Sequence, residues 1–278
     1  MASLVEKVDK HKTILFLFLL ATLNLFVFWA LYGFHPNNDT GSFIDLIIFF
    51  RGVDIDASIF SPTRYLNPFY ALVGSKVLFF ISPEQSLITA NIAFYYGLVF
   101  LTYGLIRRVF KNKFIGFVSA ITVMTGYAIV RYALTQVQDI GGYFWFLLTI
   151  YAGWRWWENK DKKWLYLGGV AVAFGVLTKE SGCLGALFVG ILFLLDKVSW
   201  REKFLNFIRF SIFPFATIII NSFRGHDVNY NSARWFVWNW QYYAKENFTL
   251  FKWFGVHAST YNILWLFIII GLYFLIRN

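Results

Sequence analysis

The stretch TILFLFLLATLNLFVFWALYGF, Thr13–Phe34, contains 22 residues and no charged side chain. As an α-helix it extends for about 33 Å, which is enough to cross a hydrocarbon core of about 30 Å. The run is too long for a removable signal peptide and lacks a small-residue cleavage site, so we expect it to be a retained membrane span. Seven more apolar runs follow: Gln85–Ile106, Phe114–Val130, Ile140–Trp154, Trp164–Thr178, Ser181–Leu195, Phe204–Phe223 (interrupted by Arg209) and Trp253–Ile276.

The composition agrees with a membrane protein. Of the 278 residues, 58% are hydrophobic and 22% are aromatic, which exceeds the apolar content of a soluble domain of this size. The sequence contains one cysteine, Cys183, so the chain cannot form an internal disulfide. No internal repeat or flexible linker divides the chain. The sequence therefore predicts one integral domain, residues 1–278, folded as an all-α polytopic transmembrane bundle of about eight spans.

The charges predict the orientation of this bundle. If the N-terminus is cytoplasmic, the inner segments carry 16 Lys and Arg against 6 Asp and Glu, whereas the outer segments carry nine of each. This asymmetry follows the positive-inside rule. The net charge of +10 then reflects topology and contact with lipid headgroups rather than binding to nucleic acid. Two long segments face outward, His35–Glu84 and the second outer loop, residues 224–257, so we expect the chemistry on the periplasmic, extracellular or luminal face.

The first outer loop predicts two short helices, the first of which lies at the membrane interface and the second of which is interfacial or re-entrant. Phe43–Phe50 is apolar apart from Asp45, and Tyr70–Ile81 is apolar apart from Lys76. Both stretches are too short to span a bilayer. Ser82-Pro83-Glu84-Gln85 has the pattern of a capping box with proline at the first helical position, so it predicts where the second span begins.

Two carboxylates at the outer helix ends are candidate catalytic groups. Asp39 follows the first span, and Asp139 opens the fourth. The alternative for each is a structural role, because aspartate is a favoured N-cap residue. A divalent metal, if one is used, would be held by the same two carboxylates. No cofactor is otherwise indicated.

Charged residues surround these carboxylates on the outer side. Lys179 and Glu180 follow a span of only 15 uncharged residues, close to the hydrocarbon boundary. Charges at that depth usually face a watered cavity and pair there, although a turn solvated by headgroups is the alternative. Cations near a membrane surface suit a phosphate group. The candidate substrate-binding residues are Arg64, Lys76, Arg131, Lys179, Glu180, His226 and Arg234.

The order of these elements resembles the GT-C membrane glycosyltransferases of the polyprenyl-phosphate-sugar type, which include protein O-mannosyltransferases and lipid A aminoarabinose transferases. The resemblance covers residues 13–195. It rests on Asp39 and the short helix after it, the Pro62–Tyr70 element with its arginine, the Ser-Pro-Glu helix start, the turn Arg131–Asp139, and Gly-Val-Leu-Thr-Lys-Glu-Ser-Gly at Gly175–Gly182.

The resemblance implies an inverting transfer of a sugar from a polyprenyl-phosphate donor to a hydroxyl of a lipid, protein or glycan acceptor. It assigns Asp39 as the base and Asp139 as a helper for the acceptor or a metal. Arg64 and Lys179 are then candidates to stabilise the leaving phosphate. Two positions depart from the family pattern: Thr40 replaces a common acid, and Gln136 follows Ala-Leu-Thr where many relatives have an acid.

Two other classes of protein remain open at this stage. The first is a non-catalytic membrane subunit or scaffold with a degenerate GT-C core, which would act with a protein partner and is favoured by the short chain and by Gln136. The second is a transporter of lipid-linked sugars, which predicts a symmetric repeat that the sequence lacks. The sequence contains no HExxH motif, nucleophile elbow, phosphate loop or Cys/His metal spacing, which argues against most hydrolases and ATPases.

Overall fold

The computed structural model describes residues 2–34, 36, 40–55 and 68–225, and of residues 2–10, 180 and 221–225 it describes the backbone alone. This part of the chain is helical and contains no β-sheet. The compact unit to which it belongs runs from Met1 to Arg224. Its helices are α1 (Ala2–Tyr32), α2 (Thr40–Phe50), α3 (Phe69–Leu72, continued by a π-helical turn, Val73–Val77), α4 (Pro83–Val109), α5 (Lys113–Thr125), α6 (Tyr127–Leu134), α7 (Asp139–Asn159), α8 (Lys163–Thr178, followed by the 3-10 turn Glu180–Leu184), α9 (Gly185–Leu195) and α10 (Trp200–Gly225).

Seven of the eight apolar runs form helices in the described part, and the eighth, Trp253–Ile276, lies outside it. Within the described residues, three helices are long and apolar enough to cross a membrane: α1, α4 and α10. α5 and α6 form a fourth if they are one span, bent by 56° at Gly126. The helical membrane fold is therefore confirmed, while the count of eight spans stays a prediction.

The predicted start of the second span is confirmed in detail. The Ser82 hydroxyl accepts a hydrogen bond from the Gln85 amide at 3.2 Å, and the Gln85 side chain accepts one from the Ser82 amide at 3.3 Å. Pro83 occupies the first turn, where its missing N–H leaves no hydrogen bond unmade. The capping box thus fixes the residue at which α4 begins.

The two stretches predicted to lie at the interface are short helices. α2 begins at Thr40 and buries Phe43, Leu46 and Ile47, which pack with Tyr70 of α3. Gly74 is needed at this contact, because a Cβ there would lie 2.9 Å from the Ile47 side chain. The two short helices α2 and α3 are therefore packed on each other and on Leu87 and Ala90 of α4.

α7 is longer than its uncharged run. It extends to Asn159 and is 21 residues long, about 30 Å, because it includes Arg155 and Glu158. Lys160 ends it in a left-handed conformation, with φ of 55°, and its ammonium lies over Trp156 and Trp157. Charged residues at the end of the helix thus supply the length that the apolar run lacks.

α7 packs against α4, α8 and α9. These contacts bring the helix ends together in two groups. Asp139 meets Lys179 at the predicted outer end, and Lys160 pairs with Asp196 at 3.0 Å at the predicted inner end. The helix ends therefore alternate between the two ends of the bundle in the order that the predicted inner and outer turns require. The orientation of the helices in the membrane stays an expectation.

Candidate functional site

The centre of the candidate site is an ion pair between Asp139 and Lys179. The Lys179 ammonium donates a hydrogen bond to the Asp139 carboxylate. The side chains are 23% exposed for Asp139 and 35% exposed for Lys179. Neither side chain of the pair is therefore fully enclosed by the protein.

Both charges lie where their helices favour them. Asp139 is the first residue of α7, so its negative charge is next to the positive end of the helix dipole. Lys179 immediately follows α8, where a cation is favoured. The N-cap of α7 is Gln138, and its side chain makes no capping hydrogen bond. The interpretation of Asp139 as an N-cap is therefore wrong, because Asp139 is the first residue inside α7 and Gln138 occupies the N-cap position.

Lys179 is held in place by a turn that connects two closely packed segments. Its amide donates to the Gly175 carbonyl at 2.8 Å, and its own carbonyl accepts from the Gly182 amide at 2.8 Å. A Cβ on Gly142 would lie 3.0 Å from the Ser181 hydroxyl and 3.3 Å from the Lys179 Cβ. The small residue on α7 thus allows the Lys179 segment to approach the helix that carries Asp139.

The turn before Asp139 is fixed by a buried asparagine. The Asn91 side-chain amide of α4 donates to the carbonyls of Thr135 at 2.6 Å and Val137 at 2.8 Å. The Tyr70 hydroxyl donates in turn to the Asn91 oxygen. Burial raises the pKa of Tyr70 well above its ordinary value, so the phenol stays protonated and keeps donating. This chain of hydrogen bonds sets the start of α7 and hence the position of Asp139.

α2 contacts the same turn. The Thr40 hydroxyl donates to the Gln136 carbonyl at 3.3 Å. At the other end of α2, the Arg51 guanidinium donates to the carbonyls of Gly74, Leu78 and Ile81 at 2.8, 3.3 and 2.8 Å. These carbonyls end the short helical segment that carries Lys76. Arg51 therefore joins the C-terminal end of α2 to that segment.

The other predicted site residues are divided between the described part and the rest of the chain. Lys76 is exposed on its π-helical turn. Arg131 is also exposed and lines a separate cavity of about 220 Å³ with Phe28, Tyr32 and Tyr127. Thus the structure brings Lys179, but neither of these two cations, into contact with Asp139. Five predicted residues lie outside the description, four entirely and Glu180 by its side chain: Asp39, Arg64, His226, Arg234 and Glu180.

A metal site is not formed by the described residues. Among them, no group of three or more His, Cys, Asp or Glu side chains could hold a metal ion. The metal prediction rests on Asp39 and Asp139, of which only the second is described. It therefore stays a prediction.

Sequence reasoning missed three residues at this site. Asn91 and Tyr70 hold the turn, and Gln138 precedes Asp139 with its buried amide oxygen lacking a hydrogen-bond partner in the described structure. A polar amide inside an apolar run was the available signal for Asn91, because such a group must find partners in a membrane. Tyr70 and Gln138 gave no signal beyond their polar character.

A pair of opposite charges lies at the ends of apolar helices and is held in position by buried polar residues. These features define a polytopic membrane protein with a candidate site at one end of its helix bundle. The family described as dolichyl-phosphate-mannose-protein mannosyltransferase matches residues 68–223, and the chain belongs to this family. It is therefore a membrane glycosyltransferase of the GT-C superfamily. The matched segment includes Asp139 and Lys179 and begins after Asp39 and Arg64. No curated protein and no solved structure matches the chain.

Proposed function

We propose that this protein transfers a sugar, with inversion, from a polyprenyl-phosphate donor to an acceptor hydroxyl at the outer face of the membrane. The family name supports a lipid-phosphate sugar donor and a protein acceptor. The observation that carries the proposal is the Asp139–Lys179 pair, because it provides a partly exposed cation at one end of the helix bundle.

Lys179 is proposed to stabilise the leaving phosphate. An ammonium has three donors, and one of them is used by Asp139. The remaining donors can bind phosphate oxygens as the bond to the anomeric carbon breaks. The phosphodiester of the donor becomes a monoester with an additional negative charge, which a fixed cation in a water-poor site stabilises strongly.

Asp139 is proposed to position Lys179. Its carboxylate fixes the direction of the ammonium, and its place at the first turn of α7 is set by Asn91. The buried oxygen of Gln138 is a further group that can accept a hydrogen bond from a sugar or acceptor hydroxyl. These neighbours give the site both an anion-binding group and a hydroxyl-binding group.

Asp39 is proposed as the base. It takes the proton of the acceptor hydroxyl while the acceptor oxygen bonds to the anomeric carbon and polyprenyl phosphate leaves on the opposite side of the sugar. Its neighbour in the chain, Thr40, contacts the turn before Asp139, which supports a shared site. Proton transfer can be late, since the anomeric carbon carries positive charge as the phosphate leaves.

Purified protein in nanodiscs tests this function when it is offered radiolabelled polyprenyl-phosphate sugars with crude acceptor extract. Release of polyprenyl phosphate is measured for wild type, Lys179→Met, Asp139→Asn and Asp39→Asn. Lys197→Met is the matched control, because it removes an exposed lysine at the predicted inner end. We expect Lys179→Met to lower turnover by about 100-fold or more, as for loss of a group that stabilises transition-state charge.

Equal loss of turnover in Lys197→Met and Lys179→Met would show that the effect comes from general destabilisation. Wild-type protein that binds the donor but releases no polyprenyl phosphate with any acceptor would overturn the catalytic proposal. It would leave the scaffold alternative as the better description.

A further inference from the structure

A charged cavity lies at the opposite end of the bundle from the Asp139–Lys179 pair. It has a volume of about 570 Å³ and lies between α1, α4, α5 and α7. Four of its lining residues are cations and one is a carboxylate. The charged residues are Arg107, Arg108, Lys111, Lys113 and Glu158, and Tyr103 lines the cavity beside them.

The α4–α5 turn concentrates positive charge on this cavity. Lys111 adopts a left-handed conformation, with φ of 50°, which reverses the chain within a few residues. The Asn112 side chain then accepts hydrogen bonds from the amides of Phe114 and Ile115 at 2.8 and 3.1 Å and so begins α5. The turn is also close-packed, because a Cβ on Gly116 would lie 2.8 Å from the Arg107 Cβ.

The single carboxylate of the cavity is already engaged. Glu158 lies 3.6 Å from Arg108 and 3.8 Å from Arg155, and it accepts a hydrogen bond from the Trp154 indole at 3.0 Å. Arg107 and Lys111, by contrast, make no ion pair with a carboxylate anywhere in the described structure. The cavity therefore has positive charge in excess of its own acid.

A buried hydroxyl in the same cavity lacks a partner. Tyr103 is 4% exposed, and its hydroxyl makes no hydrogen bond within the described residues. The Arg107 guanidinium lies 5.9 Å from the centre of the Tyr103 ring. A buried polar group without a partner is unfavourable, and a ligand oxygen that accepts a hydrogen bond from it relieves that cost.

We propose that this cavity binds the phosphate group of an anionic membrane lipid through Arg107, Lys111 and the Tyr103 hydroxyl. Phosphate oxygens accept hydrogen bonds and carry the negative charge that the two cations lack. A lipid is the favoured source of the phosphate because Phe110 and Phe114, on either side of the turn, are 58% and 72% exposed. Ile14 and the exposed Leu15 of α1 add apolar surface for acyl chains.

This site differs from the general excess of positive charge on one side of a membrane protein. Surface lysines and arginines attract anionic lipids without an enclosed cavity or a buried donor. Lys197, in the connection from α9 to α10, and Arg201, in the first turn of α10, are exposed cations of this ordinary kind and line no described cavity with a buried hydroxyl. They provide a control of matched charge.

Native mass spectrometry of the full-length protein tests the proposal, with phosphatidylglycerol or phosphatidylcholine added in detergent. The variants are Arg107→Gln/Lys111→Gln, the control Lys197→Gln/Arg201→Gln, and Tyr103→Phe, which removes only the hydroxyl. We expect phosphatidylglycerol to bind wild type in preference to phosphatidylcholine. Binding should fall about tenfold or more in the cavity double variant and less than about twofold in the control. Tyr103→Phe should lower binding by severalfold without changing the thermal stability in lipid-free detergent.

Each other outcome overturns the proposal. Equal losses in the cavity variant and the control would mean that the lipid responds to surface charge alone. Unchanged phosphatidylglycerol binding in Tyr103→Phe would show that the buried hydroxyl takes no part in binding the lipid. Displacement of phosphatidylglycerol by millimolar inorganic phosphate, but not by the same ionic strength of chloride, would assign the cavity to a soluble anion.

Discussion

Gly175 on α8 and Gly182 in the following 3-10 turn pack backbone against backbone. A Cβ on Gly175 would lie 2.7 Å from the Gly182 carbonyl carbon, and one on Gly182 would lie 2.7 Å from the Gly175 Cα. Lys179 lies between them in the chain and is hydrogen-bonded to both. The approach of two glycines therefore sets the turn that presents Lys179 to Asp139.

Gly175→Ala should destabilise the protein and displace Lys179. The added methyl group meets backbone atoms, which cannot rotate away, and overpacking of this kind costs about 1–3 kcal/mol. The change is measured as a lower melting temperature in detergent, together with weaker binding of a polyprenyl-phosphate sugar.

Gly190→Ala is the matched control for this prediction. It also adds a methyl group to a glycine in an apolar helix, but nothing lies within 4 Å of the new Cβ. Its melting temperature should equal that of wild type or exceed it slightly, because alanine favours helix. Similar losses in both variants would contradict a specific contact at Gly175.

Asn91→Ala should loosen the turn before Asp139. The change removes the side-chain donor of the Val137 carbonyl and one of the two donors of the Thr135 carbonyl, which keeps the Val137 amide at 2.9 Å. A buried group left unpaired costs about 1–3 kcal/mol. Tyr70→Phe removes one hydrogen bond and keeps both of these donations, so its effect should be smaller. Hydrogen exchange of the amides at residues 136–142 provides the measurement. Faster exchange in Tyr70→Phe than in Asn91→Ala would refute the order of effects.

The helical elements of this fold are local enough to be predicted. Ser82 and Gln85 form their capping box within four residues, so the pattern determines where α4 begins. The apolar runs likewise mark the helices, although α7 extends past its run because Arg155 and Glu158 can reach polar surroundings from the end of a helix. Such features depend on a few neighbouring residues.

The candidate site depends on packing between distant segments, and this part was predicted less well. The sequence placed Asp139 and Lys179 near the same membrane face, but 40 residues separate them. Their contact requires the close approach of α7 to the turn after α8 at Gly142. The role of Asn91 depends in the same way on a turn 44 residues away. No local pattern contains that information.

Arg51→Met should free the segment that follows α3. The guanidinium donates to three carbonyls that end this segment, and an apolar side chain of similar length keeps the packing while removing those donors. Charged donors contribute about 1.5–3 kcal/mol per hydrogen bond, less where water replaces them. We expect faster hydrogen exchange at residues 77–81. Lys76→Met is the control, because it changes an exposed side chain of the same segment, and its exchange should resemble that of wild type.

The Asp139–Lys179 pair should show coupling in a double-mutant cycle of Asp139→Asn and Lys179→Met. Because the side chains are 23% and 35% exposed, solvent screens the pair, and we expect a coupling energy of about 0.5–1 kcal/mol in unfolding free energy.

The same cycle on Lys160 and Asp196, a pair 3.0 Å apart at the predicted inner end, is the control. It should show coupling in stability but leave donor binding unchanged, whereas the Asp139–Lys179 variants should weaken donor binding. Strictly additive effects at Asp139 and Lys179 would mean that their contact contributes nothing in solution. Loss of donor binding in both cycles would contradict a specific role of the Asp139–Lys179 pair in donor binding. Damage to either end of the bundle would then have the same effect.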